Sequence, residues 1–361
     1  MGLLNWGWNG YFEAIWNSTE RGSVVPARVI SQQKKFWAIA GEFGECWAEA
    51  AGRLRLAAEE GADWPAVGDW VTARIEGANG TATIQEVLPR RSKFVRKTAG
   101  RVVQDQVLAA NIDTVLLVSA LDGDLNPRRV ERYLAQCLES GAKPLIVLNK
   151  ADICVNATER TSEMERIAAG AVIYVVSAKT GSGFEALERH LVRGETLALL
   201  GSSGVGKSTI VNRLMYRSIQ ETRQVRESDG RGRHTTTARE LFALPGGALL
   251  MDTPGLRELH LWDADEGVSR AFADIESLTA QCRFSNCRHE TEPGCAVLEC
   301  IAAEVLDVAR LENWRKLLRE QAFLRQKIDP EARKEHKEHW KQLHRAMRQK
   351  YQQREKDGGK R

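Results

Sequence analysis

The chain has 361 residues, 43% of them hydrophobic, and a formal net charge of +4. That length exceeds the roughly 100 to 200 residues of one ordinary domain, so two or three domains are expected. No stretch approaches the roughly 20 consecutive apolar residues of a membrane span, and the N-terminus lacks the charged-then-apolar pattern of a signal peptide. A soluble, cytoplasmic protein with no membrane partner is the expectation. The basic character sits in the tail, because residues 331–361 hold eleven Lys/Arg against five Asp/Glu, a net of +6 that leaves −2 for the rest.

Residues 1–23 are rich in Trp and Asn, with Trp6, Trp8 and Trp16 beside Tyr11 and Phe12. They predict either a docking arm or a short helix. Residues 24–100 have a β texture: short β-branched or alternating runs at 27–30, 36–39, 69–75 and 81–87, broken by glycines. Such spacing predicts a small all-β barrel, of which the oligonucleotide-binding (OB) type is one choice. Phe36, Trp37, Trp47 and Trp70 are candidates either for stacking bases or for the barrel core.

From about residue 101 to 265, apolar runs at 114–118, 144–148, 171–176, 197–200 and 248–251 alternate with helix-like stretches at 127–140, 183–192 and 208–216. Alternation of this kind predicts a parallel sheet covered on both faces. Asn149, Lys150, Ala151 and Asp152 follow one predicted strand, where open α/β sheets bind ligands. The Asp152 carboxylate can accept from guanine N1–H and the exocyclic amine together; adenine lacks that donor pair and would leave the carboxylate unpaired. Lys150 would pack across the base, and Ser177, Ala178 and Lys179 would supply a backbone donor to the guanine oxygen.

Gly201, Ser202, Ser203, Gly204, Val205, Gly206, Lys207, Ser208 and Thr209 form a phosphate loop between a predicted strand and helix. Glycines let backbone N–H groups curl around phosphates at a helix N-terminus, Lys207 reaches the β and γ phosphates, and Ser208 would hold Mg²⁺. Asp252 stands at the end of another apolar strand, for the metal's outer shell, and the Gly255 N–H is placed for the γ-phosphate. The guanine motifs therefore precede the phosphate loop, the reverse of an ordinary GTPase. A complete set of parts in rotated order predicts a circularly permuted GTPase domain.

Many GTPases carry a water-orienting Gln after the Asp-x-x-Gly glycine; here that residue is Leu256. The nearest catalytic candidate is His234, in the Arg/Gly-rich stretch 231–237, where a neutral imidazole would orient or deprotonate water. Thr235 or Thr236 would complete the Mg²⁺ shell, and Arg231 and Arg233 are candidate fingers acting in cis.

Of seven cysteines, Cys282, Cys287, Cys295 and Cys300 crowd into nineteen residues. Cys282, Cys287, His289 and Cys295 offer three thiolates and an imidazole, a closed tetrahedral set for one structural Zn²⁺ within a mainly α domain at 266–330. Cys300 is spare, and its exchange with Cys295 stays open. Residues 331–361 predict a basic helical tail whose charge would attract RNA phosphates.

The layout resembles the ribosome small-subunit-dependent GTPase A (RsgA) family of circularly permuted bacterial GTPases. The resemblance is carried by Asn149–Asp152, Ser177–Lys179, Gly201–Thr209, residues 232–237, Asp252–Leu256 and the Cys282/Cys287/His289/Cys295 set, with 65–71 and 87–90 similar to the family's N-terminal barrel. It implies an OB-fold, a permuted P-loop GTPase domain and a zinc domain. It also implies a monomeric late maturation factor of the 30S subunit that binds 16S rRNA, uses GTP and GDP, is stimulated by the subunit and employs His234 in catalysis. The alternative is a GTP-gated RNA-binding or translation-control protein acting off the ribosome. A metabolic nucleotide kinase also uses a phosphate loop, but conflicts with Asn149–Asp152.

Overall fold

The computed structural model describes residues 2–19, 22–59, 64–76, 81–97, 105–123, 125–222, 239–252 and 265–328. The N-terminal arm is both docked and helical. A 3₁₀ turn, Leu3–Trp6, precedes helix α1 (Gly10–Asn17), whose first turn is capped by the Asn9 side chain accepting from the Tyr11 N–H at 3.1 Å. Trp6, Trp8 and Phe12 are buried, and Trp8 meets Trp70 of the barrel edge-on with ring centroids 4.7 Å apart.

Five strands form the barrel: β1 (Val25–Gln33), β2 (Phe36–Gly41), β3 (Gly44–Ala50), β4 (Trp70–Glu76) and β5 (Thr81–Val87). They pair in the ring β1-β2-β3-β5-β4 and back to β1, with helix α2 (Gly52–Glu59) in the connection between β3 and β4. Closure is possible because β1 carries a register shift between Val29 and Ser31 and pairs with β4 along one half and β2 along the other. The interior is filled by alternating residues such as Val29, Trp37, Ile39, Val71, Ala73 and Ile84. Successive side chains point to opposite faces of a strand. Trp37 therefore points in, at 1% exposure, while Phe36 and Trp47 point out at 48% and 45%; Trp70, on the face of β4 opposite to Val71 and Ala73, is buried at 0% against Trp8 and Phe12 of the arm. The stacking candidates divide accordingly, with only Phe36 and Trp47 accessible.

A ribbon of β6 (Lys93–Lys97) and β7 (Asp105–Ala110) leads into the α/β region. There β8 (Thr114–Ala120), α3 (Pro127–Glu139), β9 (Lys143–Asn149), α4 (Ala157–Glu165), β10 (Val172–Val175), α5 (Phe184–His190), β11 (Thr196–Leu200), α6 (Lys207–Thr222), β12 (Glu240–Ala243) and β13 (Leu249–Asp252) follow. The sheet order is β10-β9-β8-β11-β13-β12, parallel except for β12. Only the short segment between α5 and β11 is needed to join the two halves of the permuted domain, so the order of motifs changes while the strand positions do not. Strand β12 also pairs with β1 at Ser31↔Glu240, which makes barrel and sheet continuous.

Helices α7 (Asp265–Ala271), α8 (Ala273–Thr279), α9 (Ala296–Ala302) and α10 (Val308–Ile328) form the C-terminal module. Helix α7 lies against α3 so closely that a Cβ on Gly267 would sit 2.2 Å from the Ala135 carbonyl oxygen. No described helix is long and apolar enough to cross a membrane.

Candidate nucleotide site and metal centre

The segments expected to read guanine and the phosphate loop converge at the C-terminal ends of β9, β10 and β11. Asn149, 2% exposed, joins them: its Oδ1 accepts from the Ala178 N–H at 2.9 Å and its Nδ2 donates to the Val205 carbonyl at 2.8 Å. A Cβ on Gly206 would lie 2.3 Å from that Nδ2, so the bridge requires glycine there. Ser177 Oγ donates to Asp152 Oδ1 at 2.7 Å and accepts from the Thr180 N–H at 3.1 Å, which orients the Asp152 carboxylate at the mouth of the site.

Lys150 takes a left-handed conformation (φ +65°), and its ammonium pairs with Asp122 at 2.6 Å. Asp122 follows β8 and lies 28 residues from its partner, so no local motif marks it. Arg213 of α6 stacks its guanidinium 5.6 Å from the Phe184 ring and lies against Gly181, holding the Ser177–Gly181 turn to the phosphate helix.

In the phosphate loop, Gly201 passes so near β8 that a Cβ would meet the Val118 oxygen at 2.3 Å. Lys207 is buried beneath the loop and donates to the Gly201 carbonyl at 2.7 Å and to that of Ser202. Ser203, Gly204, Ser208 and Thr209 are exposed along the loop and at the N-terminus of α6, where backbone N–H groups lack intrahelical partners. Asp252, also exposed, ends β13, the strand next to β11. Asp252 and the start of the phosphate loop thus stand at the ends of adjacent strands, β13 and β11.

Below α8, the donor atoms of Cys282, Cys287, His289 and Cys295 all lie within 4.8 Å of one another. Cys282 Sγ is 3.9 Å from Cys295 Sγ, and His289 Nδ1 is 3.5 and 3.4 Å from those sulfurs. A tetrahedron with Zn–S of about 2.3 Å and Zn–N of about 2.05 Å has edges of about 3.8 and 3.6 Å. Both the donor set and its spacing therefore fit zinc. Cys300, on α9, is not in the group, and Cys295 is the fourth donor. Burial and the Arg315 guanidinium hold the His289 pKa below its ordinary value, favouring the neutral imidazole a metal requires.

The model of the RsgA GTPase family matches residues 87–262. The small ribosomal subunit biogenesis GTPase RsgA of Opitutus terrae is 43% identical over 357 residues, covering 96% of this chain and 97% of its own. The chain belongs to the RsgA GTPase family. Its namesake from Syntrophotalea carbinolica is 46% identical over 324 residues, 88% of each chain. Among solved structures, YjeQ from Thermotoga maritima superposes with a TM-score of 0.62 at 26% identity, over 82% of this chain and 98% of that one. YloQ, a circularly permuted GTPase, has the same fold, with a TM-score of 0.59 at 21% identity over 84% and 97%.

As an RsgA-family member the protein is a GTP hydrolase of permuted architecture. His234, Thr235, Thr236, Gly255 and Leu256, with Arg231 and Arg233, lie outside the described residues, as does the tail at 331–361.

Proposed function

We propose that this GTPase acts in late maturation of the 30S subunit, binding 16S rRNA in its GTP form and leaving after hydrolysis to GDP and phosphate. The observation that carries the reading is the Asn149 bridge between guanine loop and phosphate loop, in a chain whose near full-length relatives are named small ribosomal subunit biogenesis GTPases.

Asp152 reads guanine N1–H and the amine, and the stem of Lys150 lies over the base. Because the Ala178 N–H is given to Asn149, the Lys179 N–H is the donor to the guanine oxygen. Ser202–Val205 and Gly206 line the phosphates with Lys207. Ser208 and Thr236 would hold Mg²⁺, which would supply positive charge to the β and γ phosphates. The Gly255 N–H and Thr235 would contact the γ-phosphate, and His234 would orient the water. A structural zinc at Cys282, Cys287, His289 and Cys295 keeps the C-terminal module folded. Phe36 and Trp47 project from an OB-type barrel where exposed bases can stack. The protein works as a cytoplasmic monomer.

The test is GTP hydrolysis with purified 30S, 50S and 70S particles and with generic structured RNA. Stimulation by 30S alone is expected; equal stimulation by generic RNA favours GTP-gated RNA binding off the ribosome. A His234→Ala variant should lose about 10²-fold or more of 30S-stimulated single-turnover rate. An unchanged rate removes His234 from the mechanism.

A further inference from the structure

The loop bearing His289 is held from both sides by side chains of opposite charge. Glu292 accepts three backbone N–H bonds, at Oε1 from Arg288 (2.9 Å) and at Oε2 from Glu290 (2.8 Å) and Thr291 (3.0 Å). These bonds hold its carboxyl down at about 2. Arg315, on α10, donates to the carbonyl oxygens of Arg288 at 2.8 Å and His289 at 2.6 Å.

One peptide unit is thereby gripped at both ends. The oxygen of the His289–Glu290 amide meets a guanidinium and its N–H meets a carboxylate. A peptide dipole of about 3.5 D between those charges resists rotation. His289 itself sits at φ +61°, a region that residues with a Cβ seldom enter. In that conformation its Nδ1 reaches the sulfurs of Cys282 and Cys295. Both Glu292 oxygens face backbone N–H groups, so the carboxylate is committed to the loop and not to a metal.

We propose that Glu292 and Arg315 form a charge clamp on the His289–Glu290 peptide, positioning His289 as a zinc ligand and tying the metal centre to α10. The inference rests on reading Cys282, Cys287, His289 and Cys295 as a zinc site. Neither clamp residue is catalytic. Glutamine at 292 keeps one acceptor but turns an amide NH₂ toward a backbone N–H. Glutamine at 315 is too short to reach both carbonyls and carries no charge.

The test uses the full-length protein carrying E292Q, R315Q or both, with E290Q and R288Q as controls. The control side chains are exposed, and their backbone groups make the same bonds as before. Zinc dissociation constants are measured by competition with a chromogenic chelator, and affinity for a fluorescent GDP reports that the GTPase domain is intact. Each clamp variant is expected to bind zinc about 10- to 100-fold more weakly. The double variant should lose less than the product of the single losses, because both act on one peptide, and the controls should match the parent. Cobalt(II) at saturation should give the same tetrahedral Cys₃His spectrum in parent and E292Q; an altered spectrum would make Glu292 a ligand and overturn the clamp. If the parent takes up no zinc, the metal reading fails. If the parent binds zinc and both single variants bind it as tightly, the clamp fails. Should E292Q not fold, R315Q probes the same peptide from its other end by the same constants.

Discussion

Arg28, in the first strand of the barrel, donates from Nη2 to Thr196 Oγ1 at 3.0 Å, and Thr196 begins the strand that runs into the phosphate loop. The same guanidinium donates to the carbonyls of Trp6 in the arm and Asn111 in the approach to β8, both at 3.1 Å. Burial pushes its pKa down to about 10, with Asp113 and Asp69 opposing, so it stays charged at neutral pH. One residue at 1% exposure thus joins arm, barrel and GTPase sheet.

Arg28→Ala strands three buried acceptors at once, and each unsatisfied group costs about 1–3 kcal/mol. A loss of about 3 kcal/mol or more in urea unfolding is expected. The Trp6 and Trp8 emission should shift to longer wavelength as the arm comes away from Trp70. A variant as stable as the parent would show that the arm and barrel are held by apolar packing alone.

Asn149→Ala removes both bonds that align guanine loop and phosphate loop. At about 1–2 kcal/mol for each bond, GDP affinity should fall roughly 30- to 1,000-fold. Asp152→Asn should do something different. An amide can donate to the second carbonyl of xanthine where the carboxylate accepted from the guanine amine, so preference should move from GTP to xanthosine triphosphate. Fluorescent-nucleotide titration checks both; retained guanine preference in Asp152→Asn would remove Asp152 from base recognition.

The permuted architecture was legible because its motifs are contiguous and each follows a short apolar run, as at 145–148 before Asn149. Elements without such a pattern were not. Strand β3, with sequence GECWAEA, alternates exposed acids with small residues, and β12 is a four-residue antiparallel strand held by its neighbours. Helix α4, ATERTSEME, has almost no apolar stripe. Contacts between distant segments were equally hidden: Asp122 with Lys150 and Arg28 with Thr196 both depend on how elements pack. The division of aromatics on β2 follows from strand alternation, because adjacent Phe36 and Trp37 must face opposite ways, whereas the burial of Trp70 depends on the arm packed against it.

The C-terminal module docks on α3 through a buried charge network. Glu131, fully buried, accepts from Arg310 Nη1 and Arg128 Nη1 at 2.7 Å and from Asn313 Nδ2 at 2.5 Å, while Arg310 also grips Asp274. Breaking a buried pair from one side leaves an uncompensated charge and costs about 3–5 kcal/mol. Glu131→Ala should therefore lower stability by about 3 kcal/mol, Asp274 retaining part of the Arg310 charge balance. Hydrogen exchange should quicken in α7 and α8 before it does in β8 and β9. Uniform exchange across both modules would mean that they unfold as one unit.

Zinc uptake should release protons. In the metal-free cluster, burial and the neighbouring Cys295 and Cys282 sulfurs push the Cys287 thiol up to about 11, so it is protonated at neutral pH. A metal binds the thiolate, and binding must displace that proton. The sign follows directly: affinity rises with pH wherever the free site holds more protons than the loaded one, by about tenfold per pH unit for each proton displaced. As pH falls further the loss of affinity steepens when His289, whose pKa burial and Arg315 lower, takes a proton. Calorimetry in buffers of different ionisation enthalpy should count at least one proton per zinc near pH 7. A zinc affinity independent of pH between about 6 and 8 would mean that the thiols are already ionised and that the cluster, with no metal to balance it, carries their negative charge.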